Sequence, residues 1–524
     1  MTSSTDRSEG NAPRPDQLIL MAAIFASGFC GMVAEYSVGT TVSYLLGNSI
    51  AAYTISISVF MFGMGLGAAV SQSLKDGREL TTFLFVEIML SVSVASSTIF
   101  ITQAARLQLA WTAMVFVSLL IGVLIGLEIP LLTRFNERRE VVLKENLSRV
   151  FAADYIGSFV AGLTYSTLLL PSFGTVITPV LSGGLNLCVA AVMGWFFLGR
   201  SMPARLIVSG SVALAIVVAL GVRGEDVAFE AEARLFKDPI IYAEQTPYQK
   251  ILLTENHGRY RLYLNGGTQF ASHDERRYHE MLVHPAFWLY PNAARVLVLG
   301  GGDGLAVREI LKYEQVGQVT VVDLDPAMTR LCSTHPIIVE LNDGALTDPR
   351  VELVHEDAYT WLRSQDALWD VIVVDLPDPR RVELAKLYST EFYRIVRNHL
   401  LPEGVAAIQS TSPIHANLAF TTIWKTIGAS GLSALPYRIN VPSFGDWGFH
   451  VAVRDDHMDP AQMRARLDQF EESVPLYVLN RDAMQAAVRF EKGIFPTETD
   501  DLAVSRLVHP KVYEAYKDAW KQVP

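Results

Sequence analysis

The sequence predicts an α-helical multi-span membrane domain followed by an α/β, Rossmann-like domain, with a small antiparallel β-sheet subdomain leading into the second part. Three observations predict it. Long apolar runs fill residues 18–222, strands and helices alternate from Arg295 onward, and an acidic cluster follows each of the first four strands of that alternation. Lipid-facing helices must be apolar all round. Alternating strands and helices build a mostly parallel sheet.

Composition supports the division. The chain has 524 residues, half of them apolar and 19% charged, with a mean hydropathy of +0.26. That length suits about two to four domains. A net charge of −11 and the lack of any Lys/Arg-rich run exclude the basic footprint that nucleic acid requires. An acidic chain suits cationic ligands better. The cysteines, Cys30, Cys188 and Cys332, have no metal-ligand spacing, which argues against a zinc site or a disulfide framework. They read as buried small hydrophobes.

Residues 1–17 are polar and contain proline, and read as a disordered tail. Seven spans follow, at Leu18–Leu45, Ile50–Leu74, Thr81–Thr102, Leu107–Leu132, Phe151–Leu170, Ile177–Leu198 and Leu206–Val222. Each reaches or approaches the ~20 residues needed to cross the hydrocarbon core. The first is too long and too uncharged at its start for a cleaved signal. The fifth is the most polar, with Asp154, Ser158 and Thr164.

Basic residues alternate between loops. Arg7 and Arg14 precede the first span, Lys75 and Arg78 follow the second, Arg134, Arg138, Arg139, Lys144 and Arg149 follow the fourth, and Arg200 and Arg205 follow the sixth. The other loops hold only Arg106. The positive-inside rule puts the N-terminus and the even-numbered loops in the cytoplasm. An odd number of spans then carries the C-terminal domain outside, and an even number keeps it inside. Glu35, Glu87, Glu128 and Asp154 lie within or at the ends of spans. Acids at that depth are costly, so they read either as a cation or polyamine site or as interhelical hydrogen-bond partners. Gly63, Gly65 and Gly67 read as a close helix-packing stripe.

Residues 223–238 are acidic and read as a linker, and 239–273 as the small β subdomain. There Lys250–Thr254 and Arg259–Leu264 flank the turn Glu255-Asn256-His257-Gly258. The Rossmann-like domain spans 274–455. It opens with a helix, Asp274–Phe287, that carries Tyr278, His279, Glu280 and His284. Strands are predicted at Arg295–Leu299, Gln318–Val322, Val351–Val354, Val371–Val374, Gly404–Gln409 and Trp447–Val453. Residues 456–524 read as a charged helical extension with a break at Phe495-Pro496 and no assigned function.

The first strand runs into Gly300-Gly301-Gly302-Asp303-Gly304. Glycines there let the backbone turn tightly and approach a ligand closely, which singles out Gly300 and Gly302. Asp323, about 20 residues on, stands where a carboxylate accepts ribose hydroxyls. Asp357 is placed to meet an adenine amino group. Together these suggest an adenosine site. Asp303 inside the cluster would repel a pyrophosphate but attract a sulfonium or a protonated amine, which favours a sulfonium nucleoside over NAD. Asp375 and Asp378, after the fourth strand, are placed to grip an amine and take its proton.

These motifs resemble the spermidine synthases, or polyamine aminopropyltransferases. The likeness is carried by Gln245-Thr246-Pro247-Tyr248-Gln249, Leu264-Asn265-Gly266, Gln269, Asp274-Glu275, Tyr278-His279-Glu280, His284-Pro285 and Val296-Leu297-Val298-Leu299-Gly300-Gly301-Gly302-Asp303-Gly304. It continues through Glu309, Asp323, Asp348-Pro349-Arg350-Val351, Asp357 and Asp375-Leu376-Pro377-Asp378-Pro379. The chain is similar to the bacterial subgroup in which a multi-span membrane domain precedes the synthase. The resemblance implies a class I methyltransferase-like fold that transfers an aminopropyl group from decarboxylated S-adenosylmethionine to putrescine, giving spermidine and methylthioadenosine. It implies that Gln249, Asp323, Asp357 and Ala358 hold the nucleoside, and that His279 and Asp303 contact the amine-bearing part. It further implies that Asp375 accepts the proton and that Asp378 and Tyr278 line the amine site. No metal or redox cofactor is implied, and homodimers are common in the family.

Two segments depart from the family pattern. Arg380-Arg381-Val382 stands where a Gly-Pro-containing gate loop is usual, which puts two arginines near a cationic substrate unless they face solvent. Pro442-Ser443-Phe444-Gly445-Asp446-Trp447-Gly448-Phe449 replaces a segment that usually offers a tyrosine. Two other functions fit parts of the pattern. A methyltransferase using S-adenosylmethionine shares the nucleoside fold but has no use for an acidic amine site. A membrane polyamine transporter or sensor would use the intramembrane acids but not a complete catalytic set.

Overall fold

The computed structural model describes residues 15–46, 49–74, 77–137, 143–234, 236–495 and 502–520. Residues 1–14, Lys75, Arg138, Arg139 and Pro496, with the expectations placed on them, lie outside the described residues. The chain divides into two compact units, Met1–Ile240 and Ile241–Pro524.

The first unit is helical: α1 Pro15–Leu46, α2 Ser49–Ser71, α3 Glu79–Ala105, α4 Ala110–Glu137, α5 Leu143–Thr164, α6 Leu170–Phe197 and α7 Ala204–Ala233. By length and composition, six segments are apolar enough to cross a membrane. Two of the expected spans, 151–170 and 177–198, fall in a single apolar segment of 51 residues, Leu147–Phe197. A straight helix of that length would run about 77 Å, far beyond a hydrocarbon core of about 30 Å. The chain instead breaks at Gly174, at φ 67° and ψ −173°. The Thr178 hydroxyl donates to the carbonyls of Leu169, at 3.2 Å, and Gly174, at 2.6 Å. In a continuous helix, nine residues would separate Thr178 from Leu169 by about 13 Å of rise. The segment therefore has two legs.

Helix α7 runs on through 223–233, where a linker is expected. Alanine and glutamate, which dominate there, are strong helix formers, and the Tyr44 hydroxyl bonds Glu232 within that stretch. Close packing joins α2 to α4. A Cβ at Gly67 would lie 2.1 Å from the Val123 carbonyl, and one at Gly126 would lie 2.2 Å from that of Met64. Gly63 and Gly122 make the same kind of contact, but Gly65 faces open space. The packing stripe is thus two small-xxx-small pairs, one on each helix.

The second unit holds two sheets. The first, in order β1-β2-β3-β4, comprises Ile240–Gln245, Lys250–Asn256, Arg259–Leu264 and Gly267–Ala271. The turns after β2 and β3 place His257 and Gly258, then Asn265 and Gly266, at positive φ. Two-residue hairpin turns need that conformation to match strand twist. Helix α8, Glu275–Leu289, leads into the second sheet.

That sheet comprises β5 Arg295–Gly300, β6 Gln318–Val322, β7 Val351–Val354, β8 Trp369–Asp375, β9 Leu400–Gln409, β10 Leu432–Val441 and β11 Gly445–Arg454. Its order is β10-β11-β9-β8-β5-β6-β7. Strands β7, β6, β5, β8 and β9 are parallel, and β11 runs antiparallel to β9 and β10. Helix α9, Leu305–Leu311, follows β5. This is the mixed, mostly parallel sheet of the methyltransferase-like class. The one strand of this sheet without a sequence expectation, β10, carries Pro436, which an edge strand tolerates.

Alternation sends Val296, Val298, Val371 and Val373 into one core and Leu297, Leu299, Ile372 and Val374 into the other, so both faces are buried. The C-terminal extension is part of this body. Met463, Leu467, Phe470 and Met484 enter the first core, and Val512 the second. Glu280 accepts the backbone N–H groups of Tyr477, Val478 and Leu479 at 2.8–2.9 Å, which anchors the extension to α8. Between short helices at Pro460–Leu467, Arg481–Ala487 and Lys511–Trp520 the extension is irregular.

Overpacking a close helix contact costs about 1–3 kcal/mol. Gly126→Val should therefore lower the thermal stability of the detergent-solubilised protein by about that amount, while Gly65→Ala leaves it unchanged. Unfolding followed by intrinsic fluorescence distinguishes the two.

Candidate active site

The carboxyl ends of the parallel strands bring the predicted acids together. At the centre of the sheet, Gly300 lies opposite Asp375 in register. A Cβ at Gly300 would stand 2.1 Å from the Asp375 carbonyl, and Gly300 has φ 82°, so only glycine fits. Gly301 donates its N–H to that carbonyl at 3.2 Å. Gly302 donates to Asp323 Oδ2 at 3.1 Å, and a Cβ there would lie 2.4 Å from this oxygen. The glycine run thus fits the backbone between two carboxylate-bearing strand ends.

Tyr278 and His279 reach this point from α8. The Tyr278 hydroxyl donates to Asp375 Oδ1 at 2.6 Å. Asp375 Oδ2 is buried and has no hydrogen-bond partner. His279 Nδ1 lies 2.9 Å from Glu275 Oε2, and Glu275 is held in turn by Arg308 at 2.8–2.9 Å. Arg308 also pairs with Glu309, which bonds His284 at 2.8 Å and Lys312 at 2.6 Å. Each of His279, Asp303 and Asp375 offers one atom to a common point, and these atoms lie within 4.8 Å of one another.

Burial governs the charges here. It pushes Asp303 up to about 6, against the pull of His279. It also raises Asp375, against His279 and the Tyr278 hydrogen bond. Burial disfavours a charged His279, but Glu275, Asp303 and Asp375 outweigh it and push the imidazole toward its protonated form. With His279 protonated, Asp303 and Asp375 are the members of this trio that offer lone pairs to a cation.

Asp378 is buried beside this cluster. It accepts from the Tyr516 hydroxyl at 3.0 Å, Thr411 Oγ1 at 3.3 Å and Gln409 Nε2 at 3.5 Å. Burial raises it, against these partners and the Arg380 guanidinium. Arg380 is exposed along its length, yet its head acts on Asp378 and Tyr516 and lies against Gly267. It does not simply face solvent. Arg381 is partly buried near Glu383. Thr411, at φ 61°, holds a strained left-handed conformation at the end of β9.

An aromatic wall completes this side. Tyr278 packs against Phe444, Trp447 and Phe449, with ring centroids 6.3, 6.4 and 5.2 Å away. The hairpin that carries Phe444 is pinned by Asp274, which accepts from the Ser443 N–H at 2.7 Å and hydroxyl at 2.9 Å.

At the carboxyl end of β6, Asp323 Oδ1 accepts the Asp325 N–H at 2.9 Å. Gln249 donates to Asp325 Oδ2 at 3.0 Å, as Thr246 does at 2.8 Å. Asp357 caps the helix Ala358–Arg363 through the Thr360 N–H at 3.0 Å and pairs with Lys386 at 2.7 Å. Burial opposes its charge, but Lys386 and Thr360 hold it below the ordinary carboxylate range. Both of its oxygens are engaged by the chain, so its side chain serves as a cap and ion pair here. Ala358 is buried at that helix start.

Gln409 and Thr411 were findable from sequence, since a polar Gln-Ser-Thr run ends a strand as the acidic clusters do. Asp325 lay within one of those clusters. Tyr516, 138 residues beyond Asp378, carries no local signal.

Residues 275–463 match the family described as Spermine/spermidine synthase domain. A Polyamine aminopropyltransferase of Oceanobacillus iheyensis is 38% identical over 498 residues, covering 94% of this chain and 95% of its own. The chain belongs to the polyamine aminopropyltransferase family. Polyamine aminopropyltransferase 1 of Streptomyces coelicolor is 39% identical over 522 residues, 97% of this chain and 96% of its own. Such coverage takes the likeness to these aminopropyltransferases across the helical unit as well. A solved spermidine synthase in complex with the transition state analogue AdoDATO aligns with 25% identity and a TM-score of 0.43, over 48% of this chain and 85% of its own. The chain is thus an enzyme of the aminopropyltransferase kind.

A hydrogen bond to a buried carboxylate contributes about 1–3 kcal/mol. Tyr516→Phe should destabilise this aminopropyltransferase by about that amount at neutral pH, measured by chemical denaturation. Tyr513→Phe, on the same helix, is the control.

Proposed function

We propose that the enzyme transfers the aminopropyl group of decarboxylated S-adenosylmethionine to putrescine, releasing spermidine and methylthioadenosine. The observation that carries this reading is the convergence of Tyr278, His279, Asp303 and Asp375, with one Asp375 oxygen buried and unpartnered. A base that must take a proton from an incoming amine needs such an oxygen. The relatives are named polyamine aminopropyltransferases, and the glycine run beside Asp323 supports a nucleoside site.

In this reading, Gly300, Gly302, Gln249, Asp323, Asp357 and Ala358 hold the nucleoside, with Asp357 acting from its capping position. Asp303 holds the aminopropyl ammonium, and His279 beside it contacts the amine-bearing part of the donor. Asp378 and the aromatic wall hold the far end and stem of the diamine. The nitrogen lone pair of putrescine attacks the aminopropyl carbon bonded to sulfur. The C–S bond breaks and its electron pair stays on sulfur, so neutral methylthioadenosine leaves. The new N–C bond leaves the nitrogen with an extra proton, which passes to Asp375, oriented by Tyr278. Burial raises Asp375 above the ordinary carboxylate range, toward where a base works best near neutral pH. The reaction requires no metal or redox cofactor. The six apolar segments and the basic residues between them support a multi-pass enzyme of the cell membrane.

The decisive assay supplies purified protein with decarboxylated S-adenosylmethionine and a panel of diamines, with chromatography of the products. Methylthioadenosine and spermidine are expected. Asp375→Asn should lower kcat by about 10²–10⁴-fold, the usual contribution of general base catalysis. No turnover with any diamine would overturn the reading.

A pH profile tests the amine-holding role. Only ionised Asp303 attracts an ammonium, and its carboxyl titrates at about 6. In the acid limb kcat/KM should therefore rise with pH and level off above about 6. In Asp303→Asn that limb should shift, leaving the part that ionisation of Asp375 imposes, and KM should rise.

A further inference from the structure

Asp378 is supported from beyond the matched synthase domain. That domain ends at residue 463, whereas Tyr516 lies on the helix Lys511–Trp520. Chain ends are usually loose unless something ties them down, and this helix is tied to the catalytic unit. Val512 enters the second core, and Ala515 and Tyr516 pack against Ala416 and Ala419. Just ahead of the helix, Ser505 is fully buried. Its N–H donates to Thr426 Oγ1 at 3.0 Å, and its carbonyl accepts the Thr390 N–H at 3.0 Å. The Tyr516 hydroxyl therefore reaches Asp378 from a fixed support.

Asp378 also has a counter-charge within the chain. Tyr516 and Thr411 donate to its Oδ2 and Gln409 to its Oδ1. The Arg380 guanidinium acts on Asp378 and hydrogen-bonds the Tyr516 hydroxyl. Three distant segments meet at this head: the loop after β8, the terminal helix and the start of β4. A Cβ at Gly267, the first residue of β4, would stand 2.1 Å from Arg380 Nη1, so glycine leaves the room that the head occupies. Asp375 differs, because its Oδ2 has no partner. Both acids act on the hydroxyls of Tyr278 and Tyr388, which places the two carboxylates about one space. One end of that space thus offers uncompensated negative charge and the other an ion pair. The ion-pair end can orient the second nitrogen of a diamine through Asp378. It offers a third ammonium only repulsion. A guanidinium has five donors, accepts no hydrogen bond and does not give up its proton, so it cannot adapt to such a neighbour.

We propose that Arg380 and Tyr516 close the far end of the acceptor site and select a diamine over longer polyamines. Tyr516 is a positioning residue that fixes the Asp378 carboxylate, and the Arg380 charge repels any nitrogen beyond the second. This inference rests on the proposed function, which puts the far end of the diamine at Asp378.

The test compares kcat/KM of the full-length enzyme for putrescine and for spermidine as acceptors, at saturating decarboxylated S-adenosylmethionine. The unaltered enzyme should prefer putrescine. In Arg380→Gln the spermidine-to-putrescine ratio of kcat/KM should rise about 10- to 100-fold, the effect of removing a like charge roughly 6–12 Å away at an effective dielectric of about 20. Arg380→Lys keeps the charge and should keep the ratio. Gly267→Ala, which pushes the guanidinium head aside, should raise the ratio as well, and serves if Arg380→Gln fails to fold. Tyr516→Phe should raise the KM for putrescine about 10-fold, the effect of one hydrogen bond to a charged group, with kcat and the KM for the nucleoside unchanged. A preference of the unaltered enzyme for spermidine overturns the selection. So does a ratio that neither Arg380→Gln nor Gly267→Ala moves, or one that Arg380→Lys moves as far. An unchanged putrescine KM in Tyr516→Phe overturns the positioning role. No turnover of either amine by the unaltered enzyme overturns the transfer reaction and this selection with it, whereas turnover with an unmoved ratio overturns the selection alone.

Discussion

The contact between β5 and β8 at their carboxyl ends is the constraint from which the catalytic unit follows. Gly300 lies against the Asp375 carbonyl with no room for a side chain. This closeness sets the register of the two central strands and aims the Asp375 carboxylate at α8, where Tyr278 meets it. A bulkier residue would part the strands and move the Asp375 carboxylate away from Tyr278. The same glycine run then turns to Asp323, so one backbone segment fixes both halves of the site.

Buried carboxylates are expensive, and the second unit concentrates Asp303, Asp375 and Asp378 in one place. Their cost is only partly offset by the chain itself. His279 supplies a counter-charge, and a hydrogen-bonded network through Glu275, Arg308 and Glu309 holds that imidazole in place. Asp378 is supported from a different direction, by the end of β9 and by Tyr516. What remains uncompensated is the free Asp375 oxygen. In the proposed reaction a cationic substrate offsets that cost, which couples its binding to the buried carboxylates.

The helical unit rests on contacts between helices. Glycine pairs bring α2 and α4 into backbone contact, and Ser27 of α1 hydrogen-bonds Glu87 of α3. Gly63 and Gly67 were legible because their spacing puts them on one helix face. Their partners Gly122 and Gly126 have that spacing too, but which stripe meets which depends on helix packing. The expected spans at 151–170 and 177–198 lie in one apolar segment, Leu147–Phe197, whose helix breaks at Gly174, between them.

Much of the catalytic unit was legible from local pattern. Alternating strands, glycines after β5 and acids after β6, β7 and β8 are period-and-position signals within a few residues of one another. They named Asp303, Asp323, Asp375 and Asp378 as neighbours because parallel strands must end on one edge. The tertiary structure alone decided which groups those acids face. Asp357 turned out to cap a helix and pair with Lys386, Gln249 reaches Asp325, and Arg380 bends back toward Asp378. Above all, Tyr516 reaches Asp378 from the end of the chain. Sequence by itself determined the elements and the acids they carry, because those depend on short-range periodicity. The partners that set each acid's charge depend on how distant segments pack, and no local pattern records that.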